Sequence, residues 1–494
     1  LQHNLDLQVD RYNPQIALRQ LGAAYGNYDP SFSFSGQHDY SESGSRLLSG
    51  SFNIGGSKSE DDRFSPALSG LLPWGMTYSF QASASDTYGS SGGAANDPSQ
   101  PILTTNSYVN INSGQTISYV TTNYAQVPVR LPFENSSGSA TVTLTQPLLK
   151  NFLIDQPRLN IRVAKNRLKY SELGLKQQVM QTVTTLEQAY YDLIYARENV
   201  VVQEKAVELA EELVAQNRKR VQVGTLAILD EKQAESQAAT SQAALIAAKS
   251  ALAVQQNLVK QLITDNYSDW ADVLLEPSGT LHAPIQSFNL QNSWRKGLTD
   301  RPDLLQAKLD LERAGIQLKY DRNQLLPELD VFGTYGFNGS GKEFSGALYD
   351  IQQRTLPTYT FGGQITLPLA NTAARNNFKA SKMTLQQAVL SVKRLERDVM
   401  VQIDNDIKQA QSSYQQVDAT RAARAYAEDA LAAEQKKLEN GKSTTYTVLQ
   451  MQRDLTTARG NEIQALANYN INLSQLSLDE GTTLQRLDIN FEWR

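Results

Sequence analysis

The chain has no cysteine and only three histidines, His3, His38 and His282, in 494 residues. Within these residues that excludes disulfides, thiolate metal sites and a lipid-anchored N-terminal cysteine, and it leaves little for imidazole chemistry. No run of 18 apolar residues occurs, so there is no transmembrane helix. There is no basic excess either: 46 Lys and Arg stand against 51 Asp and Glu, and a net charge of −5 argues against nucleic acid as a partner. A Walker motif, a nucleophile elbow and a metal-ligand cluster are all missing, so an enzyme is not expected, nor a cofactor. The first residue is Leu1, with no Met, basic n-region or apolar h-region after it. This reads as a removed signal peptide or a trimmed end.

Proline is missing where it matters most. None lies between Pro157 and Pro277, and Pro368 is the last in the chain. In the first stretch the only glycines are Gly174 and Gly224. Apolar residues recur seven apart at Leu186, Leu193, Val200, Val207, Val214 and Val221, the seam of a long coiled coil. The row three residues on is mostly small (Ala189, Ala196, Ala210), so a partner helix can approach closely. From Arg158 to Gly224 such a helix would run roughly 100 Å. A second helix then returns to about Ile263.

This stretch occurs twice. Adding 217 carries Arg158 to Arg375, Asn160 to Asn377, Gly224 to Gly441 and Gln233 to Gln450. The seam follows at Ile403, Ala410, Val417, Leu431 and Leu438, with Arg424 as the exception. A second duplication, with offset 297, opens each half: Asp6 matches Asp303, Leu7 matches Leu304 and Pro30 matches Pro327. The chain therefore divides into two homologous repeats, 1–300 and 301–494. Each reads as helix, strand, strand and long helical hairpin, at 158–263 in the first repeat and 375–478 in the second. Residues 264–300 form a connector, and 479–494 its C-terminal counterpart, both expected as a collar along the rods.

The strands alternate. Phe32 and Phe34 follow Pro30, and Leu329, Val331, Gly333, Tyr335 and Phe337 follow Pro327. Ala140, Val142 and Leu144 precede the first rod; Tyr359, Phe361, Ile365 and Leu367 precede the second. Period two gives a strand with one apolar face. The second hairpin covers about 328–370. The first contains an insert, about 43–138, in which Phe64 to Val129 holds only two charges, Asp86 and Asp97. Met76, Tyr78, Phe80, Ala82 and Ala84 alternate within it, so an ordered loop with some strand is expected. A hairpin reaching past a barrel rim is the sharper form of that reading. Four strands cannot close a barrel by themselves, and lipid does not tolerate open sheet edges. A membrane reading thus requires two chains for eight strands or three for twelve, and the length of the rods favours three. The competing reading is a soluble elongated coiled-coil scaffold with a small β-cap.

Taken together, these residues resemble the TolC family of bacterial outer-membrane efflux proteins over essentially the whole chain. The likeness rests on the two-fold repeat, on Gln146-Pro147-Leu148-Leu149-Lys150-Asn151-Phe152 and on Ala189-Tyr190-Tyr191-Asp192-Leu193. It rests also on Val223-Gly224-Thr225 with Leu229-Asp230, on Arg301-Pro302-Asp303-Leu304 and on Leu325-Leu326-Pro327-Glu328-Leu329. The resemblance implies an α+β membrane protein and a homotrimer. A 12-stranded β-barrel in outer-membrane lipid would continue into a long α-helical tunnel through the periplasm. It implies an exit duct of a tripartite efflux or type I secretion system. Its partners would be a periplasmic adaptor and an inner-membrane pump or ABC-type transporter. The docking tips would be Gly224, Thr225, Leu226, Gly441, Lys442 and Ser443. Family members close the tunnel near such tips, some with aspartate rings; here those positions carry Thr447 and Gln450, with Asp230 and Gln233 in the first half. The chain thus departs from that pattern, and Asp230 reads equally as a gate residue or as a first-turn carboxylate favoured by the helix dipole. The lipid-facing set would be Phe32, Phe34, Val142, Leu144, Phe361, Ile365 and Leu367.

Overall fold

The computed structural model of the protein describes residues 2–48 and 52–490. Residues 49–51 of the expected insert and 491–494 of the expected collar tail lie outside the described residues. In chain order the helices are α1 (Leu5–Asp10), α2 (Tyr12–Tyr25), α3 (Gln156–Gln222), α4 (Ile228–Ile263), α5 (Tyr267–Trp270), α6 (Leu290–Asp300), α7 (Pro302–Asn323), α8 (Phe344–Gln353), α9 (Thr372–Glu439), α10 (Thr445–Asp479) and α11 (Thr483–Arg486). The strands are β1 (Ser31–Ser43), β2 (Arg46–Leu48), β3 (Phe52–Ile54), β4 (Ser57–Leu71), β5 (Thr77–Val109), β6 (Thr116–Pro147), β7 (Glu328–Gly341) and β8 (Leu356–Thr366). Two compact units result, and they cut across the sequence repeats. A helical unit comprises 1–22, 162–318 and 380–494; a strand unit comprises 23–161 and 319–379.

In the helical unit the two long hairpins bury their seams. Leu193, Val200 and Val207 are buried in α3. Further along, Ala210, Leu213 and Asn217 take over from Val214. A straight helix drifts against a seven-residue repeat, and this handover is the drift. In α9 the seam stays buried at Ile403, Ala410, Val417, Leu431 and Leu438. The exception, Arg424, is held by ion pairs: its Nε lies 2.6 Å from Glu462 and its Nη1 3.7 Å from Glu428. The stretch after α5 is extended and follows the helices. Arg197 donates to the carbonyl of Pro277 (2.7 Å), and Tyr469 donates to that of Pro284 (2.7 Å). Trp294 of α6 donates to the carbonyl of Met400 (3.0 Å) and packs on Val399, Ile403 and Ile407.

The strand unit differs from expectation. Its main sheet has six strands, in the order β1-β4-β5-β6-β7-β8, all neighbours antiparallel. The expected hairpin between β1 and the Ala140–Leu144 strand does not form. β1 pairs with β4, and Ala140, Val142 and Leu144 lie on β6 between β5 and β7. Two features of the insert explain the correction. Phe64, Pro66 and Leu68 continue the alternation already visible at Tyr78, Phe80 and Ala82. Leu72-Pro73-Trp74-Gly75 supplies a tight turn between the two runs, with Gly75 at φ +93° and Leu72 N–H bonded to the Met76 carbonyl (2.8 Å). The sheet thus contains a complete extra hairpin. β5 and β6 then run on together past the ends of β4 and β7, paired up to Val109 and Thr116 and closed by a turn at 110–115. α8, also unforeseen, lies on β7, β6 and β5, with Phe344 edge-on to Phe64 (6.2 Å).

One buried polar site in the helical unit has a pH signature. Arg301, at the entry to α7, pairs with Asp303 (3.0 Å) and with Asp479 at the end of α10 (3.2 Å). Asp406 of α9 shares that site. Burial and the hydrogen-bonded neighbour Asp479 push its carboxyl up to about 7, against the pull of Arg301. A carboxyl with a raised folded pKa holds its proton in the native state after the unfolded chain has lost it. Stability therefore falls as pH rises from about 4 through about 7. Asp406→Asn mimics the protonated form. Its margin in Tm over the parent is expected to grow by about 2 °C between pH 5 and pH 8, an effect kept small by the water reaching the half-buried site. Thermal unfolding at the two pH values checks it.

Candidate functional site

The two hairpin turns of the helical unit are built alike. Gly224 has φ +76° and Gly441 φ +69°, the left-handed conformation that glycine adopts without penalty. Thr225 N–H reaches back to the Arg220 carbonyl (2.9 Å), and Lys442 N–H to that of Lys437 (2.8 Å). Gly224 N–H bonds Val221 and Gly441 N–H bonds Leu438. These pairs are the Schellman closure of a helix C-terminus. Both caps follow basic last turns, Lys219 with Arg220 and Lys436 with Lys437, which complement the dipole.

The turns are also joined to each other. Arg220 donates from Nη1 to the Leu438 carbonyl (3.3 Å). Just below, the fully buried Asn217 donates to the Asp230 carbonyl (3.3 Å) and to the Thr445 hydroxyl (3.4 Å). Leu213, Leu431, Leu438, Val448, Leu449 and Leu455 pack beneath them. Around this core lie ion pairs that hold each hairpin closed. Arg218 meets Glu231 and Glu235, both at 3.2 Å, and Lys232 also meets Glu235 (2.7 Å). The hydrogen bond to Glu231, then that to Glu235, raises the Arg218 guanidinium above its usual range; Lys232 and Arg218 hold the Glu235 carboxyl below its own. At the second tip Lys437 and the Ser443 hydroxyl depress Glu434 in the same way.

The expected tip residues sit as follows. Gly224, Thr225, Gly441 and Lys442 are exposed, while Leu226 and Ser443 are half-buried. Of the aperture candidates, Asp230, Gln233 and Thr447 are half-buried and Gln450 is exposed. Thr447 N–H is capped by the Thr444 hydroxyl (3.3 Å). Exposed apolar residues flank the turns: Val223, Ile228 and Leu229 at the first and Tyr446 at the second; the motifs name Val223 and Leu229 but do not mark them as exposed, and Ile228 and Tyr446 go unnamed. They fall outside the heptad seam, and that is the signal by which they could have been found.

The sheet carries the second candidate site. Partners directly opposite on antiparallel strands point to the same face. One row therefore reads Phe32–Leu68–Phe80–Val142–Tyr335–Tyr359 across all six strands. The row below reads Gly70–Tyr78–Leu144–Gly333–Phe361, and Ile365 lies opposite Leu329. Leu367 is one residue past β8 and keeps its parity. Phe32, Phe34, Val142, Leu144, Phe361, Ile365 and Leu367 thus share one face, and all are exposed in the single chain. Phe64, Leu68 and Phe80 belong to the same belt; Phe80 was read as alternating, but none of the three was in the expected lipid-facing set. His38 with Asp62 (2.7 Å) bounds the belt at one end; beyond the other end Lys150 pairs with Glu328 (3.6 Å), which has the parity of the opposite face. From Leu329 to Gly339 along β7 is roughly 25 Å for a strand tilted by about 40°.

The opposite face is hydroxylic. One row reads Ser31–Ser69–Ser79–Thr143–Thr334–Thr360. Ser31 and Ser69 hydroxyls are 3.0 Å apart, as are those of Thr143 and Thr334. Between Asp330 and Arg63 this face carries no charged residue on the six strands.

The family model of outer membrane efflux proteins matches residues 112–264 and 295–479. The chain belongs to that family. Among its relatives is the outer membrane efflux protein BepC of Brucella suis, 27% identical over 341 residues, which cover 67% of this chain and 69% of BepC. The fold is that of the outer membrane protein VceC of Vibrio cholerae (TM-score 0.65, 16% identity, 97% of this chain and 94% of VceC). The Neisseria gonorrhoeae MtrE channel in its open state is similar too (TM-score 0.62, 16% identity, 99% and 88%). The family resemblance read from the motifs is borne out, and the chain is an outer membrane efflux protein rather than a soluble scaffold.

Gly224 and Gly441 have nothing within 4 Å of an added Cβ, so only backbone strain opposes a side chain there. Gly224→Ala is expected to destabilise the first turn by about 1 kcal/mol. Amide exchange over residues 219–229 should speed up about fivefold, while exchange around Gly441 stays unchanged.

Proposed function

We propose that this efflux protein is the passive outer-membrane exit duct of a tripartite efflux or type I secretion system. The observation that carries the reading is the two-faced sheet. A belt of Phe, Tyr, Leu, Val and Ile crosses all six strands on one side, and serine and threonine cross them on the other. In water the belt would be a large exposed apolar patch with no reason to end at a charged pair. In a barrel it meets lipid, and the hydroxyl face lines a wet lumen. Closure requires further copies of the chain, and a homotrimer is the arrangement proposed. The helical hairpins then form the wall of a periplasmic tunnel. An inner-membrane pump or ABC-type transporter supplies the energy, and a periplasmic adaptor couples it to the duct.

The tips are the proposed adaptor-docking surface, with Gly224, Thr225 and Leu226 on one turn and Gly441, Lys442 and Ser443 on the other. Schellman-capped turns with exposed Val223, Leu229 and Tyr446 offer a partner both backbone and apolar contacts. Asp230, Gln233, Thr447 and Gln450, in the first two turns of the returning helices, are the proposed aperture lining. The connector after α5 and the tail after α10 are the proposed collar.

The first test is the mass of the detergent-purified protein. Light scattering should give three times the 54.7 kDa chain, with a detergent belt; a species soluble without detergent would refute the duct. Two pairs of variants then separate the faces and the ends. Phe361→Arg puts a cation on the belt and should cost about 2–4 kcal/mol of barrel stability, seen as loss of membrane-inserted protein, whereas Thr143→Arg on the hydroxyl face should insert normally and lower single-channel conductance. Leu226→Glu with Lys442→Glu should abolish export from cells while the oligomer stays intact; full export would remove the tips from docking.

A further inference from the structure

We infer that the barrel of this protein has eighteen strands, six from each of three copies, in place of the twelve that four strands per chain would give. The inference rests on the reading of the chain as a trimeric membrane duct and goes beyond it. Four observations on the strand unit carry it.

The extra hairpin is inside the sheet, not beside it. β1 pairs with β4 over its whole length, from Ser31 with Ser69 to Ser43 with Ser57. β5 in turn pairs with β6 from Thr77 with Thr145 upward. β1 and β6 are therefore two strands apart, and no four-stranded sheet can be drawn without breaking both ladders.

The hairpin spans the full height of the belt. Its turn lies at the α3 end of the sheet: the guanidinium of Arg158, in the first turn of α3, is 2.6 Å from where a Cβ on Gly75 would stand. The same guanidinium donates to the Asn151 carbonyl (2.7 Å). From that turn β4 and β5 climb past the belt to the charged row of His38, Asp62 and Asp86. The exposed Trp74 sits in the turn, where a membrane interface would place an indole.

The hairpin has the same two faces as its neighbours. Phe64, Pro66 and Leu68 on β4, and Tyr78, Phe80, Ala82 and Ala84 on β5, fall in the rows of the belt. Ser65 and Ser69, with Thr77, Ser79, Gln81 and Ser83, fall on the hydroxyl face. A hairpin held in water would have no use for an apolar side in register with a lipid belt.

The edges fit closure by a second copy. Among the described residues β1 pairs only with β4, and β8 only with β7. These free edges are 13 and 11 residues long. In an antiparallel meander with an even number of strands the first and last run in opposite directions. β8 of one copy therefore meets β1 of the next as an antiparallel neighbour, and the rotation closes after three. Lipid admits no open edge, so the contact is required, not optional. Barrel diameter grows nearly in proportion to strand number, so this barrel would be about one and a half times as wide as a twelve-stranded one. It would hold an aqueous lumen of porin width, walled by hydroxyls.

The absence of cysteine gives a clean experiment. Single cysteines replace Phe32 and Phe361, on strands that any barrel reading includes, and Leu68 and Phe80, on the added hairpin. Each is labelled with an environment-sensitive fluorophore in phosphatidylcholine vesicles that contain acyl-chain nitroxide. The expected result is quenching at Leu68→Cys and Phe80→Cys within about twofold of that at Phe32→Cys and Phe361→Cys. Quenching at Phe32→Cys and Phe361→Cys alone would overturn the eighteen-stranded barrel and leave the duct standing. No quenching at any of the four would overturn the membrane barrel itself. End-on electron cryomicroscopy of the unsubstituted protein gives a second readout that needs no variant to fold. Eighteen strands about a three-fold axis are expected, and twelve strands, or a two-fold axis, would overturn the inference.

Discussion

A backbone in lipid has no water to bond, so every N–H and C=O must find a partner within the protein. The strand unit is arranged as the proposed barrel would need under that constraint. Over the height of the belt its six strands satisfy one another through antiparallel ladders, and among the described residues only the outer edges of β1 and β8 are left without a neighbouring strand there. The faces are then sorted with little exception, aromatic and aliphatic on one side and hydroxyl on the other. The helical unit obeys a different rule. There the backbone is satisfied within each helix, and the side chains of the seam decide which helices adjoin.

The two units also differ in how they spend polar groups. On the strands, hydroxyls bond across the sheet to one another, as at Ser83 with Ser139 and Ser85 with Ser137 (both 2.9 Å). On the helices, charged groups tie one element to the next. Arg424 and Arg421 converge on Glu462, and Arg301 reaches both Asp303 and Asp479. At the half-buried carboxyl of Asp406, beside Asp479, burial outweighs the neighbouring cation.

Most of this was legible in the residues. The heptads and the missing prolines gave the long helices to within a few residues, because a coiled-coil seam is a strong, local and repeated signal. The glycines at 224 and 441 marked both turns for the same reason. The strands were legible as faces but not as pairings. Phe32 and Val142 announce an apolar side, yet nothing in either strand says which neighbour it takes, and β4 was overlooked because Pro66 and the charges at 60–63 interrupt its pattern. Duplication also misled at this point: it suggested equal strand numbers in both halves, and the first half has twice the second's share of the main sheet. The turns at the tips were legible from turn chemistry, and their docking role was expected from the family resemblance. That Val223, Ile228 and Leu229 beside them stand exposed was not legible, since exposure is decided by packing.

The neutrality of the hydroxyl face has a consequence for ionic strength. Between Asp330 and Arg63 that wall offers no fixed charge, so added salt has nothing there to screen. The tips carry Arg218, Lys232, Glu231, Glu235, Lys437 and Glu434 in exposed or half-exposed pairs, which salt weakens over a Debye length of about 8 Å at physiological strength. In the proposed duct, passage through the barrel and docking at the tips would therefore differ in their response to the same variable. A salt series sorts them without a single substitution.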